Sequence, residues 1–229
     1  DNRLAFVQAG LIGYWGEWHT LSDPNMPEES KNKLSVWYGD AFKKTKVQIR
    51  FPHQVAYDRG IGLHDDSFAY TTLDGVPNGG VAVDWYFWPK VIAKGHQDFW
   101  KKAPMGGETR PEIQFIIFED TYPAGNYERQ DFMLCTEVTH ATYMLHHSAF
   151  ADGIAGNELQ NARSAHARMG YNYYIPRITT TNSADGTIQV TVVVKQIGVA
   201  PFYYPLGLSL SCGAGFKLTN EGVEQLIEK

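Results

Sequence analysis

Two Gly-Glu pairs, Gly16-Glu17 and Gly107-Glu108, each close a segment that reads as a strand. Paired carboxylates are what glycoside hydrolysis needs. One, with its pKa raised by its surroundings, protonates the leaving oxygen, while the other attacks the anomeric carbon or activates water. The glycine before each glutamate removes a side chain that would crowd a bulky substrate. Beside the same strand ends stand Trp15, Trp18, Trp85, Tyr86 and Trp88, rings on which the apolar faces of sugars stack, although filling the core is the competing use of any one of them. His19 lies two residues beyond Glu17, and His64-Asp65-Asp66 closes a third strand. These can bond sugar hydroxyls or orient a glutamate. With His146, His147 and Glu17 they could instead assemble a Zn, Mn or Fe site. No His-Glu-x-x-His spacing is present, so neither a metal nor another cofactor is expected.

The elements that must carry these residues follow from the pattern. Leu4 to Ile12 is a near-continuous apolar run, as in a strand buried on both faces of a parallel sheet. Pro27-Glu28-Glu29 opens a helix with acidic residues in its first turn, and Leu34, Trp37 or Tyr38, Ala41 and Phe42 keep helical spacing up to a Lys-rich end. Further strands are expected at Val47 to Phe51, Ile61 to Leu63 running into His64-Asp65-Asp66-Ser67, Pro104 to Glu108, and His146 to Phe150. Ile113 to Phe118 is either an inserted strand or part of a loop excursion. Helices are expected around Val91 to Trp100, at Arg129 to Leu145, and at Asn157 to Met169, stopping at Gly170. The aromatic stretch between Ser67 and Pro104 is long enough to be a functional loop. After Gly170 the pattern changes to alternating, β-branched segments at Tyr171 to Thr181, Thr187 to Gln196 and Leu206 to Ser211, with a turn signal at Ser183-Ala184-Asp185-Gly186.

The chain of 229 residues carries 20 Lys+Arg against 25 Asp+Glu, a formal charge of −5, which gives no electrostatic reason to expect nucleic acid. With 43% apolar and 20% charged residues it has the composition of a folded protein, not a disordered one. No apolar run is long enough to span a bilayer. The only cysteines, Cys135 and Cys212, allow one disulfide or two buried thiols.

Gln8-Ala-Gly-Leu-Ile-Gly-Tyr-Trp-Gly-Glu-Trp-His19, Pro104-Met-Gly-Gly-Glu108, Thr139-His-Ala-Thr-Tyr143 and Ala200-Pro-Phe-Tyr-Tyr-Pro205 together resemble a family of secreted proteins known as domain of unknown function 4832. That family looks like a (β/α) barrel followed by a small β-sandwich, and is distantly similar to the clan of retaining glycoside hydrolases with catalytic glutamates on strands four and seven. The resemblance covers essentially the whole chain. It implies Glu17 in the acid/base place and Glu108 in the nucleophile place. The clan usually has Asn immediately before the acid/base, to bond the sugar 2-hydroxyl, and here that place holds Gly16. Either His19 or His64 supplies that contact, or the site no longer catalyses.

The expected fold is therefore α/β. Residues 1–170 form the C-terminal part of a (β/α)8 TIM-type barrel, strands four to eight, and residues 171–229 form a partial antiparallel β-sandwich. Five barrel strands and three sandwich strands are too few for either closed form, so the sequence reads as the middle of a longer chain, to be completed by further segments or by an oligomer. An open α/β sheet complete in itself is the alternative, and the absence of a glycine-rich phosphate fingerprint counts against its nucleotide-binding versions. The leading function is a retaining glycoside hydrolase, secreted or at the cell surface, with Glu17 and Glu108 catalytic. Trp15, Trp18, His19, His64, Asp65 and Trp85 would bind a poly- or oligosaccharide. The alternatives are a non-catalytic carbohydrate-binding or surface-structural protein and, third, a metal-dependent hydrolase.

Overall fold

The computed structural model of the protein describes residues 4–18, 26–74, 86–119, 129–148, 150 and 153–207. Five strands, β1 (Phe6–Gln8), β2 (Lys46–Ile49), β3 (Gly62–Phe68), β4 (Met105–Thr109) and β5 (Tyr143–Leu145), form one parallel sheet in sequential order. The intervening helices are α1 (Glu28–Ala41), α2 (Gln54–Asp58), α3 (Phe87–Ala93) and α4 (Phe132–Thr139), and α5 (Gly156–Arg168) follows the last strand. Each crossover returns to the neighbouring strand, as short right-handed connections require. The sheet curls into a half-barrel, so that Phe6 of one edge strand stacks on Tyr143 of the other with ring centroids 5.2 Å apart.

Alternation along the strands sorts the two faces. Val47, Ile49, Leu63 and Met105 turn outward into a core with Phe87, Val91, Phe99 and Trp100, against which Leu34, Tyr38 and Phe42 of the first helical stretch pack at four-residue intervals. Of the two rings the sequence offered for that helix face, Tyr38 is the one used, and Trp37 is exposed. A second core gathers Phe68, Ile113, Ile117, Phe118, Phe132, Cys135, Ala162 and Ala165 under α4 and α5. Gln48, His64, Gly106, Glu108 and Tyr143 fall on the opposite, concave face. There the ring of Tyr143 lies so close over Gly106 that a Cβ would meet it at 2.5 Å.

Several boundaries differ from the sequence expectation, each for a local reason. The first strand is only three residues long, because the chain leaves the sheet through Gly10, Gly13 (φ 85°) and Gly16 (φ 76°). Helix α4 starts on an Asp131 cap, whose carboxylate accepts the Leu134 N–H, and ends at His140 in the left-handed region (φ 52°) instead of running on to Leu145. The residues beyond become β5, so the last strand is Tyr143–Leu145, not His146 to Phe150. Ile113 to Phe118 forms no strand. It is a 3₁₀ turn (Pro111–Ile113) and a looped stretch that buries Ile113, Ile117 and Phe118.

After α5 the chain makes one antiparallel hairpin, β6 (Tyr173–Asn182) and β7 (Ile188–Gln196), with Asn182 paired to Ile188 and a turn closed by the Ser183 N–H donating to the Thr187 carbonyl at 2.8 Å. What is described of the expected sandwich is this two-stranded ribbon. The third expected strand, Leu206 to Ser211, lies mostly outside the described residues. The Ala200-Pro-Phe-Tyr-Tyr-Pro205 segment returns to the half-barrel at the start of its strands. Tyr204 accepts the Lys46 N–H at 3.1 Å and donates to the Ala5 carbonyl, while Tyr203 donates to the Trp100 carbonyl at 2.6 Å. Cys135 is a free, fully buried thiol; Cys212 lies outside the described residues.

Candidate functional site

Glu17 stands on the loop that follows β1, and that loop is folded back on itself. The Trp18 N–H donates to the Ile12 carbonyl at 2.9 Å, the Gly16 N–H to the Gly13 carbonyl at 3.3 Å, and the Trp18 indole N–H to the Ala9 carbonyl. Trp18, 2% exposed and at φ 64°, is the plug that pins the loop into the core beside His53. It offers no face to a ligand, and the sequence-based placing of Trp18 on a sugar-binding rim is corrected. The glycine before Glu17 is also there for packing. At φ 76°, a Cβ on Gly16 would sit 2.6 Å from the Gly10 carbonyl oxygen, so no asparagine fits that place.

Glu108 is the penultimate residue of β4, level with Leu145 of β5. The preceding Gly107 faces Asp65 across the β3–β4 ladder, where a Cβ would come within 2.1 Å of the Asp65 carbonyl oxygen. Close strand approach, not room for a substrate, fixes this glycine as well.

Between the glutamates, β2 and β3 supply polar residues at alternate positions. The Arg50 guanidinium, just past β2 and 2% exposed, donates from Nε to the Asp66 carboxylate and lies 3.8 Å from Asp65. It is sandwiched by Phe51 and Phe87, whose ring centroids lie 4.9 and 5.5 Å away. Deeper in the concave face, the Tyr143 hydroxyl donates to Gln48 Oε1 at 2.7 Å and pairs with His64 Nδ1 at 3.1 Å. With the phenol proton spent on Gln48, His64 carries its own proton on Nδ1.

The electrostatics separate the carboxylates. Burial, the charges of Asp66 and Glu108, and a hydrogen bond to Asp66 push the Glu17 carboxyl up to about 7. Burial, aided by the Asp66 charge, also raises Glu108. His64 is pushed down to about 4 by burial and by the Arg50 charge, so it is neutral at physiological pH. Asp65 is fully buried, accepts the Thr72 hydroxyl at 2.6 Å and the Ser67 N–H at 3.1 Å, and is raised chiefly by burial. Asp65 thus shapes the end of β3 and does not reach a ligand, contrary to the sequence expectation.

Among the residues expected to bind sugar, Trp15 is 76% exposed beside Tyr14, the two rings 5.8 Å apart, which forms an aromatic ledge next to Glu17. His64 belongs to the concave network. His19 and Trp85 lie outside the described residues. His146 and His147 fall beyond β5 against Phe118 and Phe115. Among the described residues no group of three or more His, Cys, Asp or Glu is placed to hold a metal ion, and no helix is long and apolar enough to cross a membrane. Sequence reasoning gave no role to Arg50, Gln48 and Tyr143, while Asp66 was offered with His64 and Asp65 as able to bond sugar hydroxyls or orient a glutamate. The available signal was period-two polarity, Gln48/Arg50 and His64/Asp66, inside strands of a parallel sheet whose outward positions are apolar. Compared with protein-family models, curated proteins and solved structures, the chain finds no match.

Proposed function

We propose that this protein is a retaining glycoside hydrolase acting on a poly- or oligosaccharide, with Glu17 as acid/base and Glu108 as nucleophile. The observation that carries the reading is the pair of half-buried glutamates at the C-terminal ends of parallel strands. Both are raised, and the charge of Glu108 is among the causes that bring Glu17 to about 7, where it holds a proton that can be given away at neutral pH. In this reading Glu17 transfers its proton to the glycosidic oxygen as the bond to the anomeric carbon breaks, and the Glu108 carboxylate closes on that carbon to form an ester. Water then displaces Glu108, losing its proton to Glu17. Trp15 and Tyr14 hold a sugar ring at the rim. The resemblance to the domain of unknown function 4832 family, and with it secretion, belongs to the same proposal.

A panel of polysaccharides and aryl glycosides, with the first-formed anomer read by NMR, tests it. Turnover with retained configuration is expected, lost by a factor of about 10⁴ or more in Glu108→Gln, in line with removal of a nucleophile. Turnover unchanged by both Glu17→Gln and Glu108→Gln would overturn the assignment. The exposed Tyr14–Trp15 ledge favours one other reading, a carbohydrate-binding protein without chemistry. Glycan binding without turnover, insensitive to both glutamate variants and lost in Trp15→Ala, would select it.

A further inference from the structure

Asp66 bridges the buried Arg50 guanidinium and Glu17. Its carboxylate accepts from Arg50 Nε on one side and meets the Glu17 carboxyl in a side-chain hydrogen bond on the other. Arg50 is itself immobilised, buried to 2% exposure between two phenyl rings and backed by Asp65 at 3.8 Å. Two carboxyl groups can share a hydrogen bond only if one of them keeps its proton. The charge-assisted bond from Arg50 holds Asp66 as the acceptor, so Glu17 is the donor. We propose that Asp66, anchored by Arg50, is a positioning residue that fixes both the orientation and the protonated state of Glu17 from the neighbouring strand.

This rests on the acid/base reading of Glu17 and explains how one residue serves both halves of the reaction. Before bond cleavage Asp66 keeps Glu17 protonated, and the Glu17 hydroxyl gives up its bond to Asp66 as it turns to deliver the proton to the glycosidic oxygen. After transfer, two carboxylates face each other, and the repulsion makes Glu17 a stronger base toward the incoming water. Among the described residues, the charged groups acting on Glu17 are Asp66 from β3, Glu108 from β4 and Arg50 from the end of β2, and Asp66 also bonds it.

Carboxyl ¹³C NMR on protein labelled at glutamate Cδ tests the clamp without a substrate, the Glu17 resonance being identified by its loss in Glu17→Gln. The wild-type resonance is expected to titrate near 7. In Asp66→Asn the midpoint should fall by about one pH unit or more, since a raising charge is replaced by a neutral amide, and in Asp66→Glu it should return most of the way. If Asp66→Asn does not fold, the double variant Arg50→Gln/Asp66→Asn is compared with Arg50→Gln, which has already lost the lowering charge of Arg50, and should show the same fall relative to it. A Glu17 midpoint that stays within about 0.3 pH unit in the folded variant overturns the proposal. The alkaline limb of kcat/KM should move with the midpoint on any glycoside the protein cleaves. A midpoint that moves with no glycoside turned over keeps the clamp and removes the hydrolase; turnover with an unmoved midpoint does the reverse.

Discussion

Gly16 shows how a residue can be legible in type and misread in cause. The dipeptide Gly-Glu pointed to a strand end with a carboxylate, yet the reason for the glycine is the Gly10 backbone beneath it and a φ of 76°, neither visible in a linear sequence. Gly16→Ala is therefore expected to destabilise the fold by about 2 kcal/mol or more, the sum of left-handed strain and a clash with backbone that cannot move aside. Urea unfolding checks this, and a loss below about 0.5 kcal/mol would place the loop elsewhere. Trp18 teaches the same lesson. Tryptophan beside a strand end suggested a sugar platform, but the indole fills the core and hydrogen-bonds the Ala9 carbonyl, while the neighbouring Trp15 is the exposed ring. Nothing local in Trp15-Gly-Glu-Trp18 tells the two apart, because which ring turns inward is decided by the fold-back of residues 12–18.

At the scale of elements, existence was read better than extent. Helix α1 came out within a few residues of the pattern because its opening at Pro27, its acidic first turn and its apolar stripe all agree. Helix α4 was overrun, since Ala141 to Leu145 continues an apolar text that only the left-handed His140 interrupts, and a short strand buried by its neighbours has no period of its own. The aromatic Phe202-Tyr-Tyr204 run carried a resemblance but no mechanism from sequence. In the fold it ties the chain after β7 to the starts of β1 and β2 through the Tyr204 hydroxyl. Tyr204→Phe removes both bonds while keeping the ring, and is expected to cost about 1–2 kcal/mol, the net worth of one or two partly buried hydrogen bonds. Hydrogen exchange should locate the effect at Ala5 to Gln8 and Lys46 to Gln48, with the β6–β7 hairpin unchanged. Faster exchange in the hairpin instead would show that the tie holds the ribbon and not the sheet.

For the whole molecule, the parallel half-barrel was legible in outline because strand-like segments alternate with helical stretches, although its last strand is Tyr143–Leu145 and not His146 to Phe150, whereas the concave polar network was not legible, since it exists only once the register sets Gln48, His64, Glu108 and Tyr143 on one face. That network leaves a mark on stability. Burial lowers His53, His64, His96, His140 and His146. A histidine depressed from 6.5 to about 4, as His64 is, lets the unfolded chain take up a proton that the folded one refuses, so stability drains away as pH falls from 6.5 toward 4. Glu17 works in the opposite sense. Raised from 4.5 to about 7, it costs nothing below pH 4.5, where both states are protonated, and destabilises the fold progressively as pH rises through that window to a plateau above 7. Wild-type stability should therefore climb from pH 4 to 6.5 and flatten beyond. Glu17→Gln, which cannot ionise, should match the wild type at pH 4 and exceed it at pH 8 by about 1 kcal/mol, a figure discounted because the carboxyl is half open to solvent. Urea denaturation at pH 4, 6 and 8 decides it: a gap between the two proteins that does not widen with pH would mean that Glu17 titrates in the fold as it does in the unfolded chain, and that neither Asp66 nor burial holds its proton.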